Sequence, residues 1–428
     1  MPADPARDRK LARQTARKAA RKAARNTPPE VGAAGQLEQG VASVIPSNQF
    51  ARFRDIQVLP SDGFCTLPFQ VNGGPVWPDF AAQGLVRMMR RGRYVDEPVT
   101  ATFAPCRTVA QPCVWGGYAT AHFGHLIADQ MTRVLEARVN RPDDLILFLL
   151  RPGGDVSDLP GFFWQILAWY GVSLDRVRFV TEPLLVLDLR CFAQAEPIAS
   201  NPPSERYLDL LQQNAAERGL VPIPSDLTYV CRAGLLAMGK GGAAGETYLI
   251  EILAQAGVRI LDPLTASLRD QLAVYAGATA LVFAEGSAVH GRQLLGRLDQ
   301  SITILNRRPR ARIAAPAMAA RCRALHYVEA SGQTLGMRGM ASRTGMVLGL
   351  ALYDLPALFA GFARVGVDLE AIWVQSDFDT AVKADAECWL AGLAQSGATA
   401  QFDLDNAVRD LRAAGIPVST LRAQQGET

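Results

Sequence analysis

The sequence predicts an α/β protein of two lobes facing a cleft, followed by a mostly helical C-terminal appendage. Three observations predict it. Between Leu227 and Asn306 four apolar, strand-like runs each stop at a polar residue. From about Phe50 to Arg218 further apolar runs alternate with helical patterns. A proline-containing linker, Val221-Pro222-Ile223-Pro224-Ser225, separates the two stretches. Strands alternating with helices of roughly 10–15 residues build βαβ units and a parallel sheet.

The four runs are Tyr229-Val230-Cys231-Arg232, Arg259-Ile260-Leu261-Asp262, Leu281-Val282-Phe283-Ala284-Glu285 and Thr303-Ile304-Leu305-Asn306. Between the first two, Glu246 to Ala256 places Leu249, Ile250 and Leu253 on one helix face, and Gly257 supplies the left-handed stop. Next, Ser267 with Asp270 resembles a capping box ahead of Leu268, Leu272 and Tyr275, with Gly277 as the stop. The segment Glu285-Gly286-Ser287-Ala288-Val289-His290 then turns from strand into a helix containing Leu294 and Leu295. Ligands of open parallel sheets bind beyond the carboxyl ends of the strands, where helix N-termini also point. Arg232, Asp262, Glu285 and Asn306 are therefore expected on one rim, with the small residues Gly286, Ser287 and Ala288 leaving amides open to an anion.

In the first lobe, strands are expected at Val109–Trp115, Leu145–Leu150, Val177–Val180 and Leu184–Leu189. Helices are expected at His122–Ala137, Phe162–Tyr170 and Ser204–Arg218. The expected domains are a basic, disordered tail (1–45), an N-terminal lobe (46–220), a C-terminal lobe (221–330) and the appendage (331–428). In the appendage, Met346–Ala363 is an apolar stretch interrupted only by Asp354 and Pro356. A spanning helix needs ~20 apolar residues and would bury that aspartate, so a pair of buried or interfacial helices is expected instead.

With 428 residues, 49% of them hydrophobic, the chain can bury a large core. Its net charge is +3, yet residues 1–26 hold nine basic and two acidic residues, which leaves −4 on residues 27–428. A mildly acidic body disfavours nucleic acid as a partner. Residues 7–25 carry Arg13, Arg17, Arg21 and Arg25 at four-residue spacing, which suits either a solvated tail or a helix lying peripherally on the anionic inner face of a membrane. Seven scattered cysteines without a CxxC pair point to a reducing cytosol, and the first 30 residues hold no apolar signal segment.

Several constellations suggest chemistry. His122, His125, Asp129 and Arg133 recur three or four residues apart, hence on one helix face. A histidine one turn from a carboxylate makes a general base, although an exposed polar stripe with an Asp129–Arg133 ion pair fits the same spacing. Gly234 to Gly241 matches the GxxxxGK spacing of a P-loop, but Gly241 stands where Ser or Thr would hold magnesium. The milder reading is a flexible basic loop bringing Lys240 and Arg232 near a phosphate. The pairs Asp377/Asp379 and Asp403/Asp405 read as caps or surface rather than metal ligands, so no metal site is expected.

Taken in order, Gly124-His125-Leu126-Ile127-Ala128-Asp129 with Arg133, Tyr229-Val230-Cys231-Arg232, Asp262-Pro263, Gln271 and Glu285-Gly286-Ser287-Ala288-Val289-His290 resemble glycosyltransferase family 61 over about residues 110–305. Cys231 stands where that family usually has Ser, and Gly245 where Asn often precedes the glutamate matching Glu246. The resemblance implies a GT-B fold of two Rossmann-like lobes. It also implies inverting, metal-independent transfer from a nucleotide sugar, usually a UDP-sugar, to a hydroxyl of a glycan or lipid-linked glycan, as in capsular or surface polysaccharide synthesis. The nucleotide sugar is a substrate, and no cofactor is implied. Carried over, His125 and Asp129 face the acceptor, while Arg232, Lys240, Glu285, Gly286, Ser287, Ala288, His290 and Asn306 hold the donor. Two other functions fit the same residues: a non-catalytic glycan- or nucleotide-binding protein, and a P-loop NTPase.

Overall fold

Charged residues interrupt an apolar run from Phe50 onward, and together they form β1 (Phe50–Phe64), a strand absent from the expectations above. In the computed structural model, which describes residues 48–64, 71–90, 93–102, 106–196, 202–335, 348–396 and 404–418, β1 runs antiparallel to β9 (Leu184–Phe192). Its charges are what disguise it. Arg52 donates to Asp188 at 2.7 Å, and Arg190 bridges Asp188 and Asp144 at 2.9 and 2.7 Å, a cross-strand ladder that replaces apolar pairs on one face.

The other strands of the first half are β2 (Val71–Pro75), β3 (Met89–Arg90), β4 (Arg93–Tyr94), β5 (Arg107–Val109), β6 (Cys113–Tyr118), β7 (Leu145–Leu149) and β8 (Val177–Val180). Apart from the small β3–β4 hairpin, they join one sheet in the order β2-β1-β9-β6-β7-β8, with β5 on β9. The pairs among β5 to β9 are parallel. The single strand expected at Val109–Trp115 is two, β5 and β6. They are parted at Pro112, which has no amide hydrogen for a ladder.

The chain continues through β10 (Ser225–Val230), the two-residue β11 (Ala243–Ala244), β12 (Arg259–Leu261), β13 (Ala278–Ala284), β14 (Ser301–Leu305) and β15 (Ala324–Val328). All but β11 form a five-stranded, fully parallel sheet in the order β12-β10-β13-β14-β15. The four expected strands are there, and β15 extends them. Ser267 caps the helix Leu268–Gly277, and Gly245, in the left-handed region at φ 84°, opens the helix Glu246–Gln255. The strand order reverses direction between β10 and β13, and such a switch point is where an open parallel sheet leaves a crevice for a ligand.

All described residues belong to one compact unit. Helices between the sheets join their cores: Phe148, Phe163, Leu211, Leu272, Phe283, Leu294 and Ile302 lie in one buried cluster. The expected hinge is therefore docked, with Ile223 N donating to Ala273 O at 2.9 Å. Gly277 must be glycine, since a Cβ there would lie 2.1 Å from Ile223 O. Met346–Ala363 also departs from the expected helix pair. Its described part, from residue 348, holds β17 (Leu350–Tyr353) and the helix Leu355–Ala363, with Asp354 accepting from Ala357 N as the cap between them. Between β11 and β16 (Ser331–Leu335), β17 completes a three-stranded sheet, so the appendage is woven into the second lobe. Among the described residues no helix is long and apolar enough to cross a membrane. The basic tail at 7–25 and Asp403 lie outside the described residues.

Candidate functional site

The site begins at the switch point. Arg232 lies two residues beyond the end of β10, and Glu285 and Gly286 directly follow β13. Arg232 is anchored at both its ends: its backbone N donates to Glu246 Oε1 at 2.7 Å, and its Nε donates to Gly241 O at 2.6 Å. The guanidinium lies across Gly286, where a Cβ would approach Nη1 to 2.4 Å, so any larger residue there would have to displace it. Gly286 itself is extended and opens the 3-10 segment Ser287–Leu294, with Ser287 and Ala288 half-buried. The first amides of such a segment have no carbonyl in a preceding turn and face outward.

Beside Arg232 is a cavity of about 20 Å³, lined by Glu246, Glu285, Asn306 and Arg307 together with apolar residues such as Leu305 and Ala351. That volume suits about one water molecule. Burial lowers the pKa of Arg232, with Glu246 and Glu285 opposing and Arg308 reinforcing. Burial and then Arg232 bring Arg307 down to about 9. Burial pushes fully enclosed Glu246 up to about 7, against hydrogen bonds from Tyr229 and from Arg232 N. Three guanidiniums (Arg232, Arg307, Arg308) thus face two carboxylates (Glu246, Glu285), and the cluster carries an excess of positive charge that grows when Glu246 takes up its proton.

The expected donor residues divide. Arg232, Glu285 and Asn306 line the same cavity. Glu285 is 1% exposed, and its carboxylate accepts from Arg307 N (2.9 Å), Arg308 N (2.8 Å) and Arg308 Nε (2.7 Å). It is thus committed to holding the turn after β14 rather than reaching a ligand hydroxyl. Asn306 Nδ2 donates to Ala311 O and Glu329 Oε1, both at 2.9 Å, while its buried Oδ1 has no hydrogen-bond partner among the described residues. Lys240 does not join them. Gly239, at φ 64°, packs against the Gly392 backbone and turns the chain away, leaving the Lys240 side chain exposed. The same geometry removes the P-loop, since β11 and not a helix follows the lysine. Asp262 spends one oxygen on its own turn, accepting from Leu264 N at 2.9 Å.

On the other side, the helix expected from His122 is broken in its middle. Phe123–His125 is α, Leu126–Gln130 is a π turn, Met131–Arg133 is 3-10, and Val134–Asn140 is α again. Wide π turns recur at functional sites because they re-aim side chains. Here His125 Nδ1 meets Asp129 Oδ2 at 3.0 Å, with side-chain exposures of 21% and 2%. Arg133 is buried and donates to the Val86 and Arg87 carbonyls, which rules out the exposed Asp129–Arg133 stripe. His122 caps this helix, its Nδ1 accepting from His125 N at 3.3 Å, and the two rings lie 4.3 Å apart.

The two halves touch at Gly124, where a Cβ would come within 2.7 Å of the His290 ring. His290 therefore sits on the His125 side of the site, although Arg308 of the arginine cluster still acts on its charge. Sequence reasoning also missed Arg307, Arg308 and Tyr353. The two arginines follow Asn306 directly, so the rim argument could have reached them, whereas nothing near residue 353 signals a return to the cavity. Among the described residues no group of three or more His, Cys, Asp or Glu side chains could hold a metal ion. No protein-family model matches this chain, and no curated protein matches it.

Proposed function

We propose that the protein is an inverting glycosyltransferase that moves a sugar from a nucleotide donor, with UDP-sugars the first choice, to a hydroxyl of a glycan acceptor in the synthesis of a capsular or surface polysaccharide. One observation carries the reading. At the reversal in strand order, a half-buried arginine lies against a glycine at the head of a helical segment, with an excess of positive charge behind it, and a histidine–carboxylate pair stands on the neighbouring helix. A diphosphate leaving group needs the first arrangement, and a hydroxyl nucleophile needs the second.

In this mechanism His125 removes the acceptor proton while the hydroxyl oxygen attacks the anomeric carbon. Asp129 orients the ring and stabilises the imidazolium. The sugar–phosphate bond breaks, and its electron pair leaves with the nucleoside diphosphate, whose charge falls on Arg232 and the amides of Gly286, Ser287 and Ala288. A peripheral membrane contact through residues 7–25 would bring a lipid-linked acceptor to the site.

Release of UDP by the purified full chain supplied with a UDP-sugar panel and a glycan acceptor tests the reading. Donor-dependent release that Arg232→Ala abolishes supports it. A chain that binds UDP without ever releasing it from a donor is instead a binding protein, and one that binds no nucleoside diphosphate is neither.

A further inference from the structure

Three of the four histidines of the chain gather at the Gly124 contact, and His290 is held differently from the other two. Its Nδ1 is in hydrogen-bonding contact with Gln293 Oε1. Gln293 Nε2 donates to Glu196 Oε2 at 2.8 Å, and Arg321 clamps the same carboxylate, Nη1 to Oε2 at 3.0 Å and Nη2 to Oε1. Directions follow from the chemistry. Guanidinium only donates and carboxylate only accepts, so Gln293 turns its amide nitrogen to Glu196 and its carbonyl to His290. A carbonyl only accepts, so Nδ1 carries the ring hydrogen and Nε2 holds a lone pair.

That lone pair lies at the contact between the two halves, since a Cβ on Gly124 would sit 3.2 Å from Nε2. Burial keeps the ring neutral by lowering its pKa, with His125 and Arg308 adding to the effect and the Gln293 bond and Asp129 opposing it. A lone pair repels phosphate oxygens and accepts from a hydroxyl. The residue keeps 9% of its surface exposed.

We propose that His290 is a hydrogen-bond acceptor for a substrate hydroxyl beside the His125–Asp129 pair rather than a ligand of the diphosphate, with Gln293, Glu196 and Arg321 as positioning residues that fix its Nδ1–H tautomer. The identity of the hydroxyl rests on the glycosyltransferase reading; the tautomer does not.

Long-range 1H–15N NMR of the 15N-labelled full chain near pH 7.5 reads the tautomer directly, with His290 assigned by the signals that His290→Asn removes. The expected result is a neutral Nδ1–H ring whose Nε2 shift stays put when UDP is added. An Nε2–H ring, an imidazolium, or a UDP-induced change at His290 Nε2 overturns the proposal. Gln293→Leu should release the ring to a tautomer mixture and raise the acceptor KM about tenfold, the loss of one oriented hydrogen bond, with kcat changed less. An unchanged tautomer in that variant also overturns it. If UDP moves no signal anywhere while the Nδ1–H ring is observed, the nucleotide-sugar reading fails and the tautomer assignment stands.

Discussion

Glu246 is a carboxyl that a folded protein keeps in the wrong medium. It is fully buried at the first position of a helix, and its pKa is about 7 against an ordinary value of 4.5. Because the folded value is the higher one, folding favours the protonated form. The stability this carboxyl contributes is whole below about pH 4.5 and is lost as the pH rises through 7, a loss on the order of 3 kcal/mol. Urea unfolding at pH 5 and pH 8.5 should show wild type losing about that much relative to Glu246→Gln; parallel curves would contradict it. The same proton governs charge at the arginine cluster, so UDP binding should strengthen as the pH falls from 8 to 6.5 in wild type and change less in Glu246→Gln. Isothermal titration would check this. For chemistry, His125→Ala should lower kcat by ~100-fold or more if its imidazole is the base. A drop of threefold or less would remove it from that role. A smaller side-chain change carries as much weight: Gly286→Ala must displace the Arg232 guanidinium and should weaken UDP binding about as much as Arg232→Ala does.

At the scale of elements, regular periodicity was legible and its interruptions were not. Leu249, Ile250 and Leu253, or Ser267 with Asp270, announce their helices because 3.6-residue spacing and caps are local signals. The π turn at Leu126–Gln130 leaves no such trace, because its cause is tertiary: Gln130 is pinned by Tyr118 N at 3.0 Å, and Gln194 holds the Asp129 carbonyl at the same distance. β1 was hidden because Arg52, Arg54 and Asp55 break its apolar pattern, and the pairing of the two arginines with Asp188 becomes visible only across more than 130 residues of chain. Likewise the rim residues Arg232, Glu285 and Asn306 could be named from strand ends, but not that Glu285 would face inward to the Arg307 and Arg308 amides. Helix Glu246–Gln255 shows the same dependence on distant partners. Gly245 offers no side chain to cap it, and Asp385 does so from helix Gln375–Gln395, accepting from Gly245 N at 2.8 Å and Thr247 Oγ1 at 2.9 Å. Asp385→Ala should cost about 1–2 kcal/mol in thermal or chemical unfolding.

Across the whole molecule, two sheets share one core, and the candidate chemistry lies where helical segments from both meet, at Gly124 and His290. The alternation of strands and helices was enough to predict the α/β class, because each βαβ unit is assembled from neighbours in sequence. The joining of the lobes was not predictable in that way, since it depends on which helix faces remain apolar after each sheet is covered. For the basic tail, deletion of residues 1–26 should abolish co-sedimentation with anionic liposomes, and unchanged binding would reject its proposed membrane role.

The pairing of β11 with β17 has a practical consequence for anyone dividing the chain. A fragment stopped at residue 330, where sequence composition invites the cut, would keep every motif residue yet lose Ala351 and Tyr353 from the cavity wall and the carboxylate that secures the helix bearing Glu246. Ala351, Tyr353 and Asp385 are therefore part of the masonry around Arg232 and Glu246, and truncation there should unsettle that cluster as surely as removing the arginine itself.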